Sequence, residues 1–127
     1  MTRKTHICVG LAVTLPLLPV FHFYAITGMV GATLADIDVK LGIKHRWSTH
    51  SLLALILATM GVMLINFNIG AILGINYLIH LILDSCTVTG VPLLYPFRTK
   101  YYGPKLIKTG DPIDLFICLL AIVIIFI

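Results

Sequence analysis

His80-Leu-Ile-Leu-Asp84, continuing into Ser85-Cys86-Thr87-Val88-Thr89-Gly90-Val91-Pro92, is the stretch from which the rest of the chain is read. An imidazole and a carboxylate four residues apart stand one above the other on one face of a helix. Both can reach a single metal ion. Their surroundings are almost wholly apolar, where such groups are costly unless paired or coordinated. The Thr/Gly/Pro run that follows stops the helix and sets the pair at its mouth.

The composition around this stretch excludes an ordinary soluble domain. Of 127 residues, 59% are hydrophobic and 11% charged, and the mean hydropathy is +1.05. The expectation is an all-α integral membrane protein forming one domain over residues 1–127. All five acids are aspartates: Asp36, Asp38, Asp84, Asp111 and Asp114. The net charge of +4 comes from basic residues between apolar segments, which fits membrane topology and anionic headgroups better than nucleic acid. Cys8, Cys86 and Cys118 show no CxxC spacing. Cys8 and Cys118 read as small apolar residues, and Cys86 as a minor ligand candidate. The N-terminal Met-Thr-Arg-Lys and apolar run superficially resemble a signal peptide but lack a small-x-small cleavage site, so the segment is expected to remain.

Four apolar stretches follow one another: Ile7 to Leu34, Ser51 to Phe67, Ile69 to Leu83, and Ile113 to Ile127. As helices the last three would run roughly 22–25 Å, slightly short of a ~30 Å hydrocarbon core. The first would run about 40 Å as one rod, but it carries Pro16 and Pro19. Proline breaks or kinks a helix interior, so a hairpin of two short helices is expected, with one long kinked span as the competing reading. The bundle then has about five short helices, with a tight turn at Asn66-Phe67-Asn68 and the polar loops on one side. In the hairpin reading all nine Lys/Arg and all five Asp fall on that side, which the positive-inside rule makes cytoplasmic. The expected location is a multi-pass protein of a bacterial cytoplasmic membrane.

Three clusters flank the polar side: Asp36-Ile-Asp38, then His45-Arg-Trp-Ser-Thr-His50-Ser51, then His80 and Asp84. A lone membrane histidine is more often a hydrogen-bonded core residue, and Asp-x-Asp is often a helix cap. Three clusters at three helix ends in so apolar a chain point instead to metal. Asp36, Asp38, His45, His50, His80 and Asp84 are donors of the type that hold Zn²⁺ or Mn²⁺, and the hairpin would add His6. His22, beyond the prolines, reads as structural. Six or seven ligands allow one ion, two or more. Two ions would activate a bridging hydroxide against a phosphoryl or carbonyl centre, with Asp36 or Asp38 bridging or accepting the water proton. Arg46 or Arg98 would stabilise an anionic transition state; Arg46 either does this or pairs with a carboxylate. Ser51 and Thr87 would orient ligands. The loop from Thr87 to Pro112, with Arg98, Lys100, Tyr101, Tyr102, Lys105 and Lys108, reads as an interface anchor or as the binder of an anionic substrate group. Trp47 reads as an interface anchor.

These residues carry a family resemblance. Thr5-His6, Asp36-Ile-Asp38, His45-Arg46 with Thr49-His50-Ser51, His80 to Asp84, Thr89-Gly-Val-Pro-Leu-Leu-Tyr-Pro96 and Phe116-Ile117 together resemble the bacterial inner-membrane metal-dependent hydrolases of the YdjM type, a group also described as LexA-binding. The spaced His and Asp residues are distantly similar to those of zinc-dependent phospholipase C. The resemblance implies a membrane-bound, metal-dependent hydrolase and leaves its substrate open. Ala35 and Val39 stand where the family pattern has proline and histidine, Trp47 where it has glycine, and Asp114 roughly where it has glutamate.

The function expected is hydrolysis of a phosphoester, phospholipid or headgroup-like, at the membrane interface. The bilayer and an anionic small molecule or lipid are the expected partners, with a homo-oligomer allowed. A metal transporter or sensor is the second reading, although the polar groups stop on one side. A regulatory membrane partner with a structural metal is the third. No helix-turn-helix or basic recognition helix is present, so direct nucleic-acid binding is not expected.

Overall fold

A computed structural model describes residues 1–42 and 46–127. The chain is all-helical, with no strands among the described residues. Helix α1 spans Arg3–Thr14, α2 is the single turn Leu18–Phe21, α3 spans Gly28–Leu34 and α4 is the single turn Ile37–Lys40. Helix α5 spans Leu52–Met63, α6 Phe67–Ser85 and α7 Pro112–Phe126.

The first apolar stretch does not run as one rod. α1 ends at Thr14, and a wide turn of 3₁₀ and short helical segments, Leu15–Leu17, α2 and His22–Thr27, carries the chain round before α3 packs back on α1. The turn starts at the prolines, as their missing N–H and fixed φ require, but extends well beyond them. The second hairpin departs from expectation in its register. Asn66 caps α6, its Oδ1 accepting from Ile69 N at 3.1 Å, so Phe67 and Asn68 already lie in the helix rather than in the turn. α6 is therefore 19 residues long, about 28 Å. It is the one described helix long and apolar enough to cross a membrane, while α5 and α7 are apolar but shorter.

α6 is the central post. α1, α3 and α5 pack on it, and α7 packs against α1. Small residues set how closely. A Cβ at Gly31 would lie 2.6 Å from Leu73 O, and one at Gly10 2.5 Å from Asn76 Oδ1; neither gap admits a methyl group. The apolar part of the core is Ala35, Leu73, Tyr77 and Leu81, flanked by Leu34, Leu55, Ala58 and Val62.

Burial is inverted relative to a soluble domain. The buried polar residues, among them Thr5, Thr14, Asn76 and Asp114, outnumber the buried hydrophobic ones, thirteen against ten among the described residues. Leu57, Met60, Phe116, Leu119, Val123 and Phe126 are all exposed. Soluble monomers rarely expose contiguous apolar surface on this scale.

Two antiparallel hairpins bring the start of α1, the end of α3, the start of α5 and the end of α6 to one end of the bundle. α7 starts there too. Asp114 in its first turn accepts Thr5 Oγ1 at 2.5 Å, Thr2 N at 3.0 Å and Gly110 N at 2.8 Å. The α6–α7 loop is tied back by Val91 N to Tyr102 O at 3.0 Å and Val88 N to Ile107 O at 2.9 Å.

Candidate metal centre

Asp84 is the hub. It sits in the last turn of α6, buried, one turn after His80. Its Oδ1 meets the Met1 amine, His6 Nε2 at 3.1 Å and Arg46 Nη2 at 3.0 Å. Its Oδ2 lies 3.3 Å from His50 Nε2 and 3.6 Å from His80 Nε2.

Both histidines are oriented by their other nitrogen. His80 Nδ1 lies 2.6 Å from the carbonyl oxygen of Ala32. A carbonyl can only accept, so Nδ1 carries the hydrogen and Nε2 keeps its lone pair. His50 Nδ1 lies 3.1 Å from Thr49 Oγ1, whose own hydrogen goes to Asp38 Oδ2 at 3.0 Å. Nδ1 of His50 is therefore a donor as well, and its Nε2 is the atom turned toward Asp84 and His80. Burial pushes the His50 imidazole below its ordinary pKa, against the opposing pull of Asp84; the neutral form is the one that ligates. Tyr77 OH donates to Thr49 O at 2.5 Å and steadies the turn. Ser51 donates to Ser48 O at 2.8 Å and accepts from Ala54 N at 3.2 Å, which places the His50 turn on the start of α5.

Asp36, just before α4, completes the set. Its Oδ1 lies 3.7 Å from His80 Nε2 and 3.8 Å from His50 Nε2. Asp36, His50 and His80 thus form one group of closely spaced donors, 3.3–3.8 Å apart, with Asp84 Oδ2 beside both histidine nitrogens. Ligands about 2.0–2.2 Å from a tetrahedral ion stand roughly 3.3–3.6 Å apart. The His50 and His80 Nε2 atoms face each other at 3.3 Å, two lone pairs that repel unless a cation lies between them. Asp36, His50 and His80 could together hold one divalent ion. His6, His80 and Asp84 form a second group of closely spaced donors, but it shares the single Nε2 lone pair of His80.

The hairpin brings His6 into the centre: its ring stacks on His80 with centroids 3.8 Å apart. Asp38 faces the loop, accepting Val39 N at 2.7 Å, Arg46 N at 2.9 Å and Thr49 Oγ1 at 3.0 Å. Arg46 is buried and bonds both Asp84 and Thr87, the latter at 2.6 Å, so it pairs with a carboxylate. Its φ of +59° is held by the bond from its own N–H to Asp38. Thr87 also donates to Asp84 O at 2.7 Å. Ser51 supports the turn rather than a ligand. Arg98 is not brought to the centre: it is exposed on the α6–α7 loop, whose cross-links to Tyr102 and Ile107 hold it outside. Cys86 is in neither donor group. His45 lies outside the described residues. Thr49, Tyr77 and the Ala32 carbonyl were not signalled as orienting groups in the sequence, except that Thr49 adjoins His50 and Tyr77 shares the His80 face.

The whole chain, residues 1–127, matches the pattern of the YdjM inner membrane protein family. The uncharacterized protein YvsG of Bacillus subtilis is 35% identical over 87% of this chain and 83% of its own. The inner membrane protein YdjM of Escherichia coli is 38% identical over 59% of this chain, a match spanning 42% of that protein. The Shigella flexneri protein of the same name matches to the same extent. No solved structure matches. A full-length family match, with a relative similar along most of both chains, shows that this chain belongs to the YdjM inner membrane protein family.

Proposed function

We propose that this protein is a multi-pass membrane-embedded, metal-dependent hydrolase acting on a phosphoester at the membrane interface, with its site on the cytoplasmic side. The observation that carries the reading is the pair of buried donor groups, Asp36, His50 and His80 and, sharing His80, His6 and Asp84, at one end of a bundle that is polar inside and apolar outside. Imidazoles and carboxylates suit Zn²⁺, with Mn²⁺ the next choice. Placement in the bilayer is supported by the exposed apolar faces of α5 and α7, by the span-length α6 and by the family. Lys and Arg between the apolar helices orient the site inward.

A divalent ion there supplies Lewis acidity toward a phosphoryl oxygen and an attacking water. The chain's own residues do the rest. The Asp38–Thr49 pair holds His50 in its ligating tautomer, and the Ala32 carbonyl does so for His80. Arg46 has a buried Nε–H with no partner, a donor free to take an anionic oxygen beside Asp84. His6 gives its Nε2–H to Asp84 Oδ1, leaving a buried, unpartnered Nδ1 that can accept the proton of the attacking water.

The test is metal content and turnover of the detergent-purified protein against phosphodiester, phospholipid and carboxylic ester substrates, beside Asp84→Asn. The expected result is about one zinc per chain and phosphodiester turnover, both lost in the variant. Metal-free wild-type protein would sink the metal centre, and metal-loaded protein inert to every substrate would sink the hydrolase.

A further inference from the structure

A cavity lies outside the metal centre, between Trp47 and the α6–α7 loop. Its volume is about 430 Å³, and it is lined by Trp47, Pro92, Tyr95, Thr99 and Tyr101, a size within the range of small-molecule sites. Its walls are joined to the centre through the backbone. Trp47 follows Arg46, and Leu93, next to Pro92, accepts Leu52 N at 3.0 Å just after His50 and Ser51. Trp47 and Tyr95 meet edge to face, with centroids 5.6 Å apart and an interplanar angle of 62°, so two aromatic walls stand at an angle around the space.

We propose that this cavity is the subsite for an uncharged polyol ring, a sugar or cyclitol, carried on the phosphate that the metal centre would process. The inference rests on the hydrolase reading for its link to chemistry and on the cavity alone for binding. The flat C–H face of such a ring packs on an aromatic wall, while its hydroxyls find the Thr99 hydroxyl and the tyrosine hydroxyls. The basic loop beside the cavity argues against the other common guest of an aromatic box, a quaternary ammonium. Residues 85–110 carry Arg98, Lys100, Lys105 and Lys108 and no acid, and Arg46 adjoins Trp47. A cation would be repelled there, whereas a phosphate beside the ring would be drawn in.

Trp47 is the sole tryptophan, so its emission reports the cavity directly and without turnover. Glucose 1-phosphate, phosphocholine and inorganic phosphate are titrated separately into the detergent-purified full chain. Glucose 1-phosphate is expected to change the emission saturably, and the other two to leave it unchanged. Tyr95→Ala should weaken the binding roughly tenfold with metal content retained, the loss of one aromatic contact of about 1.4 kcal/mol. An equal or stronger response to phosphocholine overturns the proposal in favour of a cation box. No response to any of the three overturns it in favour of a plain interfacial anchor. Because the titration needs no metal, a metal-free protein that still responds would refute the hydrolase reading and keep the subsite.

Discussion

His50 and His80 point their Nε2 atoms at each other across 3.3 Å, each with its Nδ1 hydrogen committed elsewhere. With each Nδ1 turned to its own partner, the two Nε2 atoms are presented to the same space. The contact makes sense when a cation lies between the rings, and Asp36 and Asp84 supply the compensating charge.

Metal should therefore be a stability ligand. Adding Zn²⁺ at a hundredfold excess over its dissociation constant should stabilise the wild type by about 2.7 kcal/mol, seen as a rise in Tm in detergent. His80→Ala should show no such rise. An equal shift in that variant would place the ion elsewhere.

Thr49 touches no donor atom of the set but fixes the tautomer of His50. Thr49→Val keeps the shape and removes the hydroxyl. It should lower metal affinity by about 10–100-fold and leave the helical circular dichroism unchanged. Thr49→Ser should restore most of the affinity, which competition against a chromophoric chelator would measure.

Gly31 lets α3 lie against α6, and a Cβ there would meet Leu73 O at 2.6 Å. Gly31→Ala should destabilise the bundle by about 1–3 kcal/mol through overpacking. Gly61→Ala, where a Cβ meets nothing within 4 Å, should be neutral or slightly stabilising. Thermal unfolding of the two variants side by side decides it.

The α1–α3 hairpin puts Lys4 and the α6–α7 loop on the same side. Single cysteines at positions 4 and 105, in a chain whose three native cysteines are serines, should label together from the cytoplasmic side. Labelling from opposite sides would break the topology.

Much of the site was legible because its residues are rare and regularly spaced. His80 and Asp84 share a helix face by their four-residue interval, and the Pro16 and Pro19 break announced a hairpin that returns the chain to His6. Other features depended on contacts no local pattern encodes. Arg46 and Arg98 are alike as cationic loop residues, yet only Arg46 reaches Asp84, because Asp38 draws its backbone inward. The α5–α6 turn ends at Asn66 rather than running on to Asn68, because the Asn66 side chain caps α6 through Ile69 N.

The sequence by itself determined the chemical inventory and the architecture: all-helical, extremely apolar, with its aspartates and most of its histidines at the helix ends. Apolar run length, proline position and residue type are local properties, and they decide such things. Tertiary structure alone decided which nitrogen of His50 and of His80 faces the centre, that Asp84 rather than Asp38 is the hub, and that Asp36, His50 and His80 stand close enough to share an ion. Those outcomes depend on how closely α1, α3 and α6 approach, which is set by glycines such as Gly10 and Gly31 through their contacts with α6 rather than by the site residues themselves.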